Sequence, residues 1–232
     1  MLSLGSFLSL FIILPILIMS LEYITLKVWR KRWILREYSL TWLDRRYLKV
    51  IRITFPILLP LLFLLRYKNI LSAICAGLIT WLAILAITTD LESLKIPLEP
   101  CWTIFLVGLT LLLIGGSVAG WASFGVAFIT LGIAMFLSAF ITRGGLGTGD
   151  IRLLLACTPL ATWVGYTPFL IAVFIAGLLQ LPLRFIFKNK IKQLGNGFPF
   201  APALMIGLFF SIMFFSHQHT VCHEWLNGLA CN

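Results

Sequence analysis

The sequence predicts an all-α polytopic membrane protein with about eight transmembrane helices. Of its 232 residues, 60% are hydrophobic and only 11% are charged, whereas a soluble domain carries roughly 25% charged residues. Apolar runs of membrane-spanning length recur from end to end, and no hydrophilic stretch is long enough for a separate soluble domain. The predicted spans are 3–24, 53–65, 70–89, 99–115, 118–141, 151–164, 166–187 and 198–216.

Lysine and arginine are distributed unevenly among the predicted connections, and this asymmetry predicts the orientation. If the N-terminus is outside, sixteen of the eighteen Lys and Arg lie in or beside the cytoplasmic connections, and only Arg66 and Lys68 lie outside. We therefore expect both termini on the outer side. The basic residues behind the net charge of +10 are then explained by the orientation of the chain and by contact with membrane lipid headgroups. No nucleic-acid partner is expected. The cytoplasmic connections are 25–52, 90–98, 142–150 and 188–197.

Three segments are predicted along the chain. Residues 1–69 hold the first two spans with a basic cytoplasmic loop at 25–52, and residues 70–216 hold a core of six spans. Residues 217–232 form a short outer tail. Cys222 and Cys231 lie in this tail, where an oxidising compartment permits a disulfide between them.

Two aspartates, Asp90 and Asp150, stand at the ends of predicted spans in a chain with only one other aspartate, Asp44. Carboxylates at membrane depth are costly and usually serve a proton relay, an ion site or catalysis. The predicted topology puts both on the cytoplasmic side, so we expect them to share a cleft. Two neighbouring carboxylates cannot both ionise easily, and such a pair can supply a general base and a general acid.

The local context of the two carboxyl groups predicts a division of labour. Asp90 ends a span, where the negative end of a helix dipole disfavours the anion, and Asp150 opens a span, where the positive end favours it. The working hypothesis is that Asp150 is the general base and that Asp90 starts protonated. Glycines before Asp150 predict an open backbone there. Pro97 and Pro100 are expected to end helical structure after Asp90.

Three sequence elements together resemble the type IV prepilin peptidase family of membrane aspartic endopeptidases. The first is Asp90 followed by Ile96-Pro97. The second is a GxGD box followed by a basic residue and Leu, from Gly147 to Leu153. The third is the late segment Pro199-Phe200-Ala201-Pro202-Ala203-Leu204. The resemblance covers about residues 70–215.

The resemblance implies an activity and a set of site residues. The family removes the basic leader of type IV prepilins, or of the pseudopilins of type II secretion, at the cytoplasmic face of the bacterial inner membrane. It implies Asp90 and Asp150 as the catalytic pair in a multi-pass protein whose outer side is periplasmic. The residues it implies as shaping the substrate site are Ile96, Pro97, Gly147, Gly149, Pro199 and Pro202.

The resemblance also bears on cofactors. Longer family members bind zinc through paired CxxC motifs, and this chain contains no CxxC, so no metal site is expected. The peptidase reaction implies no cofactor. Many members also methylate the new N-terminus, and S-adenosylmethionine is expected only if that second activity is retained here.

Two other functions are compatible with the sequence. Presenilin-type intramembrane proteases also use GxGD, and Pro202-Ala203-Leu204 spells their PAL element. However, Thr89 stands where that group has Tyr, and Ile96-Pro97 favours the prepilin family. An ion- or proton-coupled transporter could use Asp90 and Asp150 as relay sites. Such sites tend to lie near the membrane midplane, whereas both aspartates are predicted at one face.

Overall fold

A computed structural model describes residues 4–38, 40–67, 70–115, 118–142, 148–163, 165–186 and 199–215. Regular structure within these ranges is helical, which confirms the predicted all-α class. The elements are α1 (Leu4–Leu35), a 3-10 helix (Thr41–Asp44), α2 (Arg46–Tyr67), α3 (Ile70–Ser93), α4 (Leu98–Gly115), α5 (Val118–Thr142), α6 (Thr148–Trp163), α7 (Tyr166–Ile186) and α8 (Ala201–Phe215).

Three helical segments are long and apolar enough to cross a membrane: Ile12–Leu35, Arg46–Leu65 and Ala73–Ser93. Four shorter apolar helical stretches follow in α4, α5, α7 and α8. Large hydrophobic side chains are exposed on several of these helices, which is typical of surfaces that face lipid. The chain is therefore a membrane protein, and the number of eight spans and the side of the termini stay predictions. The predicted outer tail, with Cys222 and Cys231, lies outside the described residues.

The predicted basic loop at 25–52 is wrong as a description of local structure. Residues 25–35 belong to α1 and residues 46–52 belong to α2, so that only a short connection with one 3-10 helix separates the two helices. The apolar run ends near residue 24, but the helix does not, because Lys and Arg are good helix formers and their long side chains can reach water.

The described residues 4–107 and 199–201 form one unit. In this unit α2 packs against α3, although the predicted boundary between segments 1–69 and 70–216 falls between these two helices. Gly77 of α3 permits a close approach to α2 and α1. A Cβ at this position would lie 3.0 Å from the Pro56 carbonyl oxygen and 2.9 Å from Leu14 Cδ1. Arg52 of α2 is 2% exposed and forms an ion pair of 2.9 Å with Glu22 of α1.

The described residues 108–186 and 202–215 form the second unit. Within it, α8 packs closely against α7, because a Cβ at Gly207 would lie only 2.4 Å from the Ala172 carbonyl oxygen. The Ser211 hydroxyl of α8 also donates a hydrogen bond to the Pro168 carbonyl oxygen of α7. Contact between these helices therefore depends on a small residue and on a polar contact, as in many membrane helix pairs.

Candidate active site

Asp90 lies in the last turn of α3 and is 2% exposed. The two threonines before it, Thr88 and Thr89, are also buried. Each threonine hydroxyl donates to a carbonyl oxygen one turn back, at 2.7 Å to Ile84 and at 2.8 Å to Leu85. The helix itself therefore satisfies these hydroxyl groups, and Asp90 is the buried carboxyl group at this end of α3.

The Asp90 carboxyl group accepts a hydrogen bond from the backbone N–H of Ala201, at 2.9 Å to Oδ2. Ala201 is the first residue of α8, and N–H groups in a first helical turn lack partners within their own helix. A carboxylate is a strong acceptor for such a donor. This contact joins the first and the third of the sequence elements described above, because Ala201 stands between Pro199 and Pro202, both buried.

A tight turn after α3 fixes the chain that follows Asp90. The N–H of Leu94 donates to the Asp90 carbonyl oxygen at 2.9 Å, and Leu94 has φ of 53°, a left-handed conformation that a bulky residue seldom adopts. Ile96 and Pro97 come next and are buried, and α4 then begins at Leu98. The expectation that Pro100 ends helical structure is therefore wrong. Pro100 lies in the first turn of α4, where a missing N–H costs nothing.

Two glutamates join the chain around this turn to the end of α1 and to the connection between α1 and α2. Glu99 Oε2 accepts from Trp33 Nε1 at 3.1 Å, and Oε1 accepts from Arg36 Nη1 at 3.3 Å. Trp33 is fully buried, so its N–H needs an internal acceptor. Glu99 also lies in the first turn of α4, where the helix dipole favours an acid.

Glu92 forms the second anchor, from the last turn of α3. Its Oε2 accepts from the Thr41 hydroxyl at 2.7 Å, and Arg45 Nη2 lies 3.3 Å from its Oε1. No role for Glu92 or Glu99 was predicted from the sequence. The available signal was their position, because both follow Asp90 closely in a chain with only eight acidic residues.

Asp150 lies in the first turn of α6 and is half-buried. Two effects oppose each other there, because a helix N-terminus stabilises the anion whereas removal from water destabilises it. Burial has the larger effect and raises the pKa of the Asp150 carboxyl to about 6. Gly149 is helical with it, and the predicted contribution of Gly147 lies outside the described residues.

The predicted site residues fall in both units. The first unit contains Asp90, Ile96, Pro97 and Pro199, and within it Asp90 is hydrogen-bonded to Ala201. The second unit contains Gly149, Asp150 and Pro202. Each unit therefore contains one of the two aspartates. In the ranges that the structure describes, no three His, Cys, Asp or Glu side chains are grouped as metal ligands would be.

The helical fold and the buried carboxyl group at a helix end define a membrane protein with an acidic site. Residues 76–184 match the model of the type IV leader peptidase family, and this segment contains both Asp90 and Asp150. Over these residues, a little under half of the chain, the protein is similar to this family, as its sequence motifs indicate, and the match supports a peptidase. The matched segment ends before Pro199. Neither the comparison with curated proteins nor the comparison with solved structures gave a match.

Proposed function

We propose that this protein is an aspartic endopeptidase that removes the basic leader of type IV prepilins or pseudopilins. It works at the cytoplasmic face of a bacterial inner membrane that it crosses several times. The observation that carries the proposal is the hydrogen bond between Asp90 and Ala201. It holds a buried carboxyl group against the late proline segment, in a chain that is similar to the type IV leader peptidase family over residues 76–184.

The proposed reaction needs only the two carboxyl groups and water. Asp150 takes a proton from a water molecule, whose oxygen then attacks the carbonyl carbon of the scissile peptide. A pKa of about 6 leaves Asp150 mostly ionised at neutral pH and still close to the working pH, which is the range that suits a general base. The product of this step is a tetrahedral intermediate.

Asp90 completes the reaction as the general acid. Its Oδ2 accepts the Ala201 N–H, so the acidic proton is carried on Oδ1. This proton passes to the nitrogen of the leaving amine as the C–N bond breaks. The fixed Oδ2 holds the carboxyl plane, which positions Oδ1 for the transfer. Methylation of the new N-terminus with S-adenosylmethionine would be a separate reaction and is not needed for cleavage.

The test is processing of a reporter substrate with a basic leader, a glycine and an apolar helix, expressed together with this protein. We expect Asp90→Asn and Asp150→Asn each to leave the reporter unprocessed. Glu37→Gln is the control, because it removes one negative charge from an exposed turn, and it should process normally. Normal processing by either Asn variant, at equal protein level, would overturn the proposal.

A further inference from the structure

A groove of about 730 Å³ lies in the first unit, between the second half of α1 and the start of α2. The peptidase mechanism uses none of its residues. On α1 it follows one helix face, since Tyr23, Lys27, Arg30 and Ile34 recur at intervals of three or four residues. The 3-10 helix and the first turns of α2 form the opposite wall.

Positive charge dominates the groove, since five basic side chains and two acidic ones line it. Both acids are already held by arginines: Glu22 lies 2.9 Å from Arg52, and Asp44 lies 3.5 Å from Arg30. The remaining three positive charges belong to exposed lysines, and one of them has its Nζ 5.6 Å from the ring centre of Tyr23. This surface attracts an anion. The lysines are Lys27, Lys31 and Lys49.

The same groove has apolar walls. Met19, Leu26 and Ile53 line it beside the charged side chains, and the α1 segment Ile12–Leu35 is apolar enough to cross a membrane. A soluble anion would leave these walls in contact with water. An amphiphile with a negative headgroup covers the apolar walls with its apolar part and contacts the lysines with its headgroup.

Glu22 adds a requirement for a hydrogen-bond donor. Its Oε1 faces Arg52, whereas its Oε2 is buried and accepts no hydrogen bond from any residue that the structure describes. A buried carboxylate oxygen without a donor is costly. A hydroxyl group on the headgroup could donate to Oε2 without adding charge.

We propose that this groove binds an anionic phospholipid whose headgroup carries hydroxyl groups, as a phosphoglycerol headgroup does. The phosphodiester lies among Lys27, Lys31 and Lys49, a headgroup hydroxyl donates to Glu22 Oε2, and an acyl chain covers Met19 and Leu26. This binding is independent of the proposed peptidase reaction, so it is measured without substrate.

The test is native mass spectrometry of the full-length protein, purified in detergent and titrated with defined lipids. We expect phosphatidylglycerol to bind more tightly than phosphatidylethanol, which has the same charge and no headgroup hydroxyl, and much more tightly than phosphatidylcholine. Lys27→Gln/Lys31→Gln should weaken phosphatidylglycerol binding by about tenfold. Arg32→Gln/Arg46→Gln removes two charges from the same part of the chain outside the groove, and should weaken it by less than about twofold.

Three outcomes would overturn the proposal. Equal weakening by both double variants would mean that lipid responds only to overall charge. Equal binding of phosphatidylglycerol and phosphatidylethanol would remove the role of Glu22 and with it the assigned headgroup. Displacement of the lipid by excess inorganic phosphate would identify a site for a soluble anion. All four side chains are exposed, so the variants should fold like the parent protein.

Discussion

The backbone N–H of Ala201 donates a hydrogen bond of 2.9 Å to Oδ2 of Asp90, across 111 residues of sequence. This contact gives the late proline segment a physical role beside a buried carboxyl group. Asp90 therefore has two roles to distinguish. Its side chain accepts a structural hydrogen bond, and it is proposed to donate a catalytic proton.

Substitution of Asp90 should separate these two contributions. In Asp90→Asn the side-chain carbonyl oxygen can still accept from the Ala201 N–H, so the melting temperature should stay close to that of the parent. Activity should fall by at least about a hundredfold, since general acid catalysis typically contributes 10²–10⁴ in rate. Asp90→Leu should lose activity and also melt earlier, because it leaves the N–H buried without its acceptor. Equal melting temperatures for the Asn and Leu variants would contradict a structural role for the bond.

The pH dependence of cleavage should follow Asp150. Its pKa of about 6 lies above the usual value of 3.8 because burial disfavours the anion. The general base is active when deprotonated, so kcat/KM should be half-maximal near pH 6, should reach a plateau about one pH unit above that value, and should fall about tenfold for each pH unit well below it. A profile that stays flat down to pH 4.5 in detergent-purified protein would contradict the assignment of Asp150 as the base.

The contact between Trp33 and Glu99 should stabilise the turn that carries Asp90. Trp33→Phe removes the buried Nε1 donor to Glu99 and should lower the free energy of unfolding by about 1–3 kcal/mol. Trp102→Phe is the matched control, since Trp102 is 57% exposed on α4 and should change stability little. Thermal unfolding in the same detergent compares the two variants. A similar loss of stability in both variants would show that the hydrogen bond between Trp33 and Glu99 does not stabilise the protein.

The helix contact at Gly207 should tolerate no side chain. A Cβ there would lie 2.4 Å from the Ala172 carbonyl oxygen, so Gly207→Ala must push α7 and α8 apart and should destabilise the protein by about 1–3 kcal/mol. Gly132→Ala in α5 is the control, because a Cβ there meets nothing within 4 Å and alanine favours a helix by up to about 1 kcal/mol. Melting temperatures that move in the same direction for both variants would contradict this packing.

Much of the helical architecture could be predicted from the sequence, because apolar runs determine where the chain can cross a membrane. The predicted span 70–89 corresponds to α3, Ile70–Ser93, and the predicted span 151–164 to α6, Thr148–Trp163. Helix ends were less predictable. The prediction ended the first helix near residue 24 and the structure ends it at Leu35, since hydrophobicity marks the membrane boundary and the helix continues past it.

The roles proposed for Asp90 and Asp150 follow from the rarity of aspartate in the chain and from the motifs around these two residues. The partner of Asp90 could not be predicted, because a backbone N–H leaves no signature in the identity of Ala201 and depends on tertiary packing. The raised pKa of Asp150 also depends on burial that its neighbours in sequence do not reveal. The position of Asp150 in the first turn of α6 could be predicted from the sequence. That position indicates only the effect of the helix dipole on the pKa, which is smaller than the effect of burial.

The mass of the cleaved substrate tests the central claim most directly. Purified protein is incubated with a prepilin-type substrate, and mass spectrometry identifies the new N-terminus. We expect one cut between the basic leader and the apolar helix, and no cut with Asp90→Asn or with Asp150→Asn. An intact substrate, a cut within the apolar helix as a presenilin-type protease would make, or a correct cut by either variant would contradict it.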